Sequence, residues 1–351
     1  MSPPTTVLVT GGAGFIGSHA CADLLDHGYE VIVVDDYSNS SPQVLPRLER
    51  VAGRFVGAVY ELDIRDRRAL SAVFDRHSVD AVMHFAGLKA VGASTRMPVA
   101  YYDSNVGGLT SLLRAMHGHG VHRLVFSSSC TIYGDAGHGP LPETTPARPT
   151  NPYAFSKWLC EQILKDVCLR HPDYSVLCLR YFNPAGAHPS GLLGEDPRGT
   201  SGNLMPHVAQ VATGRQEKVR VFGGDYPTTD GTAVRDYLHV LDTAEAHRIA
   251  LDHLVDTVGL RVYNLGAGRG SSVLEVVAAF SEACGRPIPY EIVSRRSGDV
   301  AELVADASAV DRDWGWHPTR GLAEMCHDAW RFQLLNPHGY AGAARHPGEK
   351  R

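Results

Sequence analysis

A doubly wound α/β fold around a parallel sheet, with a smaller, discontinuous α/β unit, is the fold class the 351-residue sequence predicts. Three observations predict it. Short β-branched runs alternate with helical patterns through the first half of the chain. Those runs are apolar throughout rather than alternating, and a glycine-rich turn joins the first strand to the first helix. Unbroken apolar strands separated by helices belong to a sheet covered on both faces, with right-handed crossovers.

The elements follow in order. Residues 7–10 (VLVT) form a strand that ends at Gly11, and Ser18 to His27 form a helix stopped at Gly28. Tyr29 opens the next strand (YEVIVVDD), and a short one covers Phe55–Leu62. Further strands lie at 80–87 (DAVMHFAG), 121–129 (VHRLVFSSS) and 174–182 (YSVLCLRYF). After Asn183 the character changes: residues 184–233 are rich in Gly, Pro and Asp, with one helical stretch at Met205–Thr213. Tyr237 to His253 reads as a strand end plus a helix, and 260–268 (LRVYNLGAG) as another strand. The predicted organisation is one unit from residues 1–183 and 234–266 and a second from 184–233 and 267–340. A disordered tail is expected over 341–351.

Composition narrows the class. With 44% hydrophobic and 20% charged residues the chain reads as a soluble globular protein. A formal charge of −5 provides no general basic field for nucleic acid. No apolar run is long enough to span a bilayer, and the first residues lack the build of a signal peptide. Seven cysteines without CxxC spacing point to free thiols in a reducing cytoplasm.

The stretch 10–18 (TGGAGFIGS) sets Gly11, Gly14 and Gly17 between a strand and a helix. Such glycines make a tight turn, let the backbone approach a pyrophosphate, and allow close helix-to-strand packing. The helix N-terminus then offers N–H groups and a favourable dipole to the phosphates. Asp35 ends the next strand about 20 residues on, where ribose hydroxyls would sit. Its charge repels a 2′-phosphate, so NAD is expected rather than NADP. Asp36, Asn39 and Ser40 would add hydrogen bonds on the adenosine side, or else lie in a solvated loop. Asp63 and Ile64 would flank the adenine.

Tyr153 and Lys157 stand four apart (YAFSK) after Asn151-Pro152, which can open a helix, so both side chains share a face. A free tyrosine has pKa about 10, and lowering it by about 3 needs about 4 kcal/mol. One ammonium near 4 Å supplies about that much at an effective dielectric of 20. The pair can therefore make a general base near neutral pH. On spacing alone a core tyrosine beside a surface lysine is the plainer reading. The strand at 121–129, which ends in three serines at the carboxyl edge where ligands bind, shifts the balance. Ser129 is the chosen hydroxyl partner, with Ser128 and Thr131 as alternatives. The small cluster His117, His119 and His122 is read as solvated and not as a metal site. Cys130 is read as a packed thiol, and Arg295-Arg296 as a solvated face.

Together these residues resemble the extended short-chain dehydrogenase/reductase family. Longer strings are similar to its UDP-glucose 4-epimerase members: HFAGLKAVG (84–92), RYFNPAGAHPSG (180–191), NLMP (203–206), GTAVRDYLHV (231–240) and YNLGAG (263–268). The likeness runs from about Val7 to about Tyr340. It implies a Rossmann-type NAD unit, a UDP-sugar unit and a homodimer.

Carried onto this chain, the resemblance assigns NAD contacts to Gly11, Gly12, Gly14, Phe15, Ile16, Gly17, Asp35, Asp36, Asn39, Ser40, Asp63 and Ile64. Phe85, Ala86, Gly87, Lys89, Asn105, Ser127, Tyr153, Lys157 and Phe182 complete that set. Tyr153, Lys157 and Ser129 become the catalytic groups. Lys89, Ser129, Tyr153, Phe182, Asn183, Asn203, Leu204, Arg235, Arg296, Asp299 and Leu303 become substrate contacts, Arg235 and Arg296 being suited to a diphosphate.

Two departures stand out. Ala93 replaces a common Glu, and Leu303 stands where the family carries either a bulky aromatic or a smaller residue. A smaller residue there admits N-acetylated sugars in the family, so leucine leaves UDP-N-acetylhexosamines open. The implied reaction is C4 epimerisation of UDP-galactose and UDP-glucose through a 4-keto sugar and NADH, in galactose metabolism. A dehydratase would carry Asp-Glu where this chain has Cys130-Thr131. A uronate epimerase and a non-catalytic NAD-binding sensor are the alternatives.

Overall fold

The computed structural model describes residues 5–198, 202–296 and 298–340, so the tail predicted at 341–351 lies outside the described residues. The first half of the chain runs β1 (Thr6–Thr10), α1 (Phe15–Asp26), β2 (Glu30–Asp35), α2 (Val44–Ala52), β3 (Ala58–Glu61), α3 (Arg67–Arg76) and β4 (Ala81–His84). It continues through α4 (Val91–Arg96), α5 (Pro98–Tyr101), a π-helical turn at Tyr102–Gly107, α6 (Gly108–Gly118) and β5 (Arg123–Ser129). After β6 (Pro140–Leu141) come α7 (Pro152–Arg170), β7 (Ser175–Tyr181), β8 (Asn183–Ala185), α8 (Leu204–Ala212) and β9 (Val219–Phe222). Next are β10 (Val234–His239), α9 (Val240–His253), β11 (Gly259–Leu265), β12 (Gly270–Ser272) and α10 (Val273–Cys284). The last elements are β13 (Tyr290–Val293), β14 (Glu302–Ala305), α11 (Ser308–Trp314) and α12 (Leu322–Leu335).

Among the described residues, seven strands form one sheet in the order β11-β7-β5-β4-β1-β2-β3, and their pairings are all parallel. The order reverses between β1 and β4, so the carboxyl end of β1 opens at a switch point, where ligands bind in such sheets. The predicted apolar strands are buried as expected: Val7, Val9, Val31 and Val33 pack on one face, Leu8, Ile32 and Val34 on the other. A second sheet, β12-β10-β14-β6 with β8 against β10, stands over this edge, and β9 pairs β13 separately. Strand β10 belongs to the second sheet, while α9 after it packs on α1.

Several boundaries differ from the sequence reading: β4 ends at His84 rather than at 87 and β11 at Leu265 rather than at 268, and two shifted starts have a clear cause. Helix α1 starts at Phe15 rather than Ser18, because Gly14, in extended conformation, serves as its N-cap. Ser18 falls inside the helix, its hydroxyl donating to the Phe15 carbonyl at 3.1 Å. The short strand begins at Ala58, since the ladder to β2 starts only after Gly57, and Phe55 is left exposed. Helix starts elsewhere follow their capping residues: Asp66 caps α3, Asn151 followed by Pro152 caps α7, and Ser272 with Glu275 forms a capping box on α10. No helix among the described residues is long and apolar enough to cross a membrane.

Candidate functional site

The glycine turn is set by contacts that leave no room for side chains. Gly11 has φ +72°, and a Cβ there would lie 2.7 Å from the Ala86 nitrogen. At Gly17 a Cβ would lie 2.2 Å from the Gly11 carbonyl oxygen, and at Gly12 it would press on Val33. Helix α1 carries neither a capping side chain nor an acidic residue in its first turn, which leaves its positive end to an anion. Asp35 is buried at the end of β2. Its Oδ2 accepts from the Ala13 N–H at 2.9 Å, and its Oδ1 from Tyr37 N–H at 3.0 Å and the Ser40 hydroxyl at 2.7 Å. Burial pushes its pKa up, and these donors oppose that. Oδ1 is filled by its two donors, while Oδ2, with one, keeps acceptor capacity for a hydroxyl. These features fit a dinucleotide: a glycine cradle, an open helix end and a carboxylate beside it.

The other expected cofactor contacts divide. Phe85, Ala86 and Gly87 follow β4, the first two donating N–H bonds to the Thr10 carbonyl beside the glycine turn. Asn105, buried in the π-helical turn, has a full set of partners. Its Oδ1 accepts from Leu88 N–H, and its Nδ2 donates to the Leu88 carbonyl and the Ser156 hydroxyl. It therefore clamps the loop after β4 to α7. Asp36 is turned to its own loop, accepting from Ser38, and Asn39 is exposed. Asp63 is engaged by Arg65, which holds its carboxyl below the usual range. Ile64 is buried against Gly108, where a Cβ would come within 2.5 Å of it.

Tyr153 sits in the first turn of α7 and Lys157 one turn on, both buried. The Ser129 hydroxyl lies by the Tyr153 phenol, where it opposes the upward pull of burial, and meets Thr131 Oγ1 at 2.9 Å. The pleat of β5 separates the three serines. Ser128 points to the opposite face, where its hydroxyl donates to Glu161 at 2.5 Å within a buried pair with Arg180. Ser127 is bonded to the Tyr181 hydroxyl, and its carbonyl accepts from Lys157 Nζ at 2.7 Å.

One electrostatic expectation is corrected here. Burial pushes the Tyr153 phenol well up, and among its neighbours Ser129 opposes this; the four-residue spacing does not by itself deliver a neutral-pH base. Lys157 is directed at the Ser127 carbonyl, and burial lowers its own pKa. Desolvation of two buried groups outweighs the simple Coulomb sum.

On the second layer, Phe182, Cys130 and Leu303 share an apolar cluster. Leu303 lies on β14 in register with Arg235 on β10. Asn183 Oδ1 is buried and has no hydrogen-bond partner among the described residues, an arrangement that costs about 1–3 kcal/mol unless a donor meets it. Arg296 and Asp299 pair with each other at 2.9 Å, and Arg296 lies 4.6 Å over the Phe222 ring. Arg295 pairs with Asp225 and covers Tyr226. Asn203, at the head of α8 before Leu204, donates to Glu195 at 2.7 Å, and Lys89 donates to the same oxygen at 2.9 Å.

Glu195 and Phe222 escaped the sequence reading because their partners are distant in sequence; a glutamate inside a Gly-rich loop and an aromatic ahead of Gly223-Gly224 were the available signals. The discounted histidines pack on Tyr174 and His171, and His119 bonds Asp75. No group of three or more His, Cys, Asp or Glu among the described residues is placed to hold a metal.

A glycine turn with an open helix end at a sheet switch point, and a buried tyrosine, lysine and serine at the end of β5 and the start of α7, define the build of a dinucleotide-dependent enzyme acting on a hydroxyl-bearing substrate. The model of the NAD dependent epimerase/dehydratase family matches residues 7–266. A UDP-glucose 4-epimerase of Bacillus subtilis is 50% identical over 96% of this chain and 99% of its own length, and that of Mus musculus 49% over 96% and 99%. Among solved structures, UDP-glucose 4-epimerase from Bifidobacterium longum, in complex with NAD+ and UDP, superposes with a TM-score of 0.93 at 50% identity, covering 95% of this chain and 100% of that one. The UDP-Glc/GlcNAc 4-epimerase of Campylobacter jejuni gives 0.81 at 34% identity, with 94% and 99% covered. The chain belongs to the NAD dependent epimerase/dehydratase family, among its UDP-glucose 4-epimerases.

Proposed function

We propose that the protein interconverts UDP-galactose and UDP-glucose by inverting C4, with Tyr153 taking and returning the proton of the 4-hydroxyl. The observation that carries this reading is the buried Tyr153 phenol, with Ser129 by it at the carboxyl edge of the sheet and Lys157 one helical turn on. NAD supplies an acceptor that takes up the C4 hydrogen with its electron pair and gives it back, and its positive ring adds to the stabilisation of the phenolate. Ser129 orients the 4-oxygen, and Lys157, fixed on the Ser127 carbonyl, holds positive charge behind the phenol.

Gly11 to Gly17 and Asp35 hold the cofactor, with Phe85, Ala86, Gly87 and Lys89 alongside. Asn183, whose Oδ1 has no hydrogen-bond partner among the described residues, Asn203, Leu204, Arg235, Arg296 and Asp299 hold the UDP part. Phe182 and Leu303 offer the sugar an apolar wall with few hydrogen-bonding groups, which suits a 4-keto sugar that turns over while its UDP stays anchored.

In this reading residues 1–182 with 240–266 chiefly hold NAD, and 183–239 with 267–340 hold the UDP-sugar; 234–239, expected with the NAD unit, form β10 of the second sheet instead. The protein acts as a cytoplasmic homodimer, supported by its free thiols and by an exposed apolar face of Met97, Val99, Phe155 and Leu159. Purified protein incubated with UDP-galactose and no added cofactor is expected to form UDP-glucose. No conversion, or conversion only with added NADP, overturns the assignment.

A further inference from the structure

Glu195 belongs to no expected contact, yet two expected ligand contacts converge on one of its oxygens. Lys89 comes from the loop after β4 and Asn203 from the head of α8, and both donate to Oε1, at 2.9 and 2.7 Å. The Glu195 side chain is only 8% exposed, against 44% for Lys89. The loop that carries it is built rigidly. Gly194 exchanges hydrogen bonds with the Tyr340 hydroxyl at 2.8 and 2.9 Å, and Asp196 accepts from the Tyr340 N–H at 2.7 Å. Phe332 fills the space where a Cβ at Gly194 would stand. Glu195 is therefore aimed from a clamped loop, while its two partners arrive from separate segments.

Lys89 also lies 6.0 Å over the ring of Phe15, the first residue of α1, which puts its ammonium beside the helix end that faces phosphates. A lysine has three N–H donors and an asparagine amide two. Holding the lysine on Glu195 leaves ammonium donors for phosphate oxygens and fixes their directions, while the same oxygen sets the Asn203 amide, at some expense in local positive charge.

We propose that Glu195 is a positioning residue that orders Lys89 and Asn203 for the diphosphates of the cofactor and the UDP-sugar. This rests on the reading of Lys89 and Asn203 as ligand contacts. The test is a double-mutant cycle of Glu195→Gln and Lys89→Met, with Asn203→Ala as a third single variant. KM for UDP-galactose, kcat and retention of NAD on gel filtration are measured for each. Glu195→Gln is expected to raise KM about tenfold, the size of a charge-assisted hydrogen bond, with kcat within about twofold. In the cycle it should add little once Lys89 is gone. Additive effects, or an unchanged KM in Glu195→Gln while Lys89→Met and Asn203→Ala raise it, overturn the positioning role. If Lys89→Met and Asn203→Ala both leave KM and NAD retention unchanged, the ligand-contact reading itself falls, and the inference falls with it. A fall in melting temperature alone, without the KM change, marks Glu195 as structural and also overturns it.

Discussion

The groups at the edge of the seven-stranded sheet and those on the second layer are held in different ways. Along the sheet edge they are buried and tied to backbone: Asp35 by the N–H groups of Ala13 and Tyr37, Lys157 by the Ser127 carbonyl, Asn105 by Leu88. On the second layer the expected UDP contacts Arg296 and Asp299 hold each other, as Arg295 and Asp225 do beside them, with both arginines about half exposed. Moving a buried group means breaking bonds that water cannot replace, whereas an exposed ion pair contributes about 0–1 kcal/mol and exchanges partners readily. In the proposed reaction this difference has a use. The side that handles the proton must not shift, while the side that grips UDP trades carboxylate partners for phosphate oxygens and lets the sugar turn.

The largest expected effect comes from removing the phenol on the rigid side. Tyr153→Phe should lower kcat by about 100-fold or more, as loss of general base catalysis does. KM for UDP-galactose and the melting temperature should change little, since Ser129 keeps Thr131 as a partner. Steady-state kinetics with both sugars decides it. A rise in KM as large as the fall in kcat would place Tyr153 on the anchoring side and break the contrast.

A smaller effect is expected where the two layers join. Asp236 on β10 is fully buried, its Oδ1 accepting from Ala267 N–H at 2.7 Å and its Oδ2 from Gly268 and Ala305 N–H at 3.0 and 3.1 Å. One carboxylate thus ties β10, the loop after β11, and β14. Asp236→Asn sets an amide donor against at least one backbone donor and should cost about 3 kcal/mol, read as a lower urea midpoint with an unchanged slope. An unchanged midpoint would show that the layers are joined by packing alone.

Legibility in the sequence followed the same division. Gly11, Gly17, Asp35, Tyr153 and Lys157 were readable because their geometry is local: a turn, a strand end, one helical turn. The serine triplet was only half readable. Strand pleat says that Ser128 faces away from Ser127 and Ser129, but which face meets Tyr153 depends on how α7 packs. Asp236 and Glu195 were invisible as organising carboxylates because their partners lie 31 and 106 positions away at Ala267 and Lys89. The Coulomb arithmetic for Tyr153 misled because spacing contains no measure of burial.

The smallest effect tests how forgiving the second layer is. Leu303 is buried among Phe182, Cys130 and Ala305, and its strand pairs with β10 at Arg235, so a larger side chain has little room to turn aside. Leu303→Tyr should leave kcat/KM for UDP-galactose within about threefold, because in the proposed site Leu303 walls the sugar and its apolar cluster does not include Tyr153. Any activity on UDP-N-acetylgalactosamine should fall about tenfold, the usual worth of a modest change in pocket volume. Parallel assays of both sugars on the same preparations measure the ratio directly. An equal loss with both sugars would mean that β14 has shifted and dragged Arg235 with it, making this layer as unforgiving as the sheet edge.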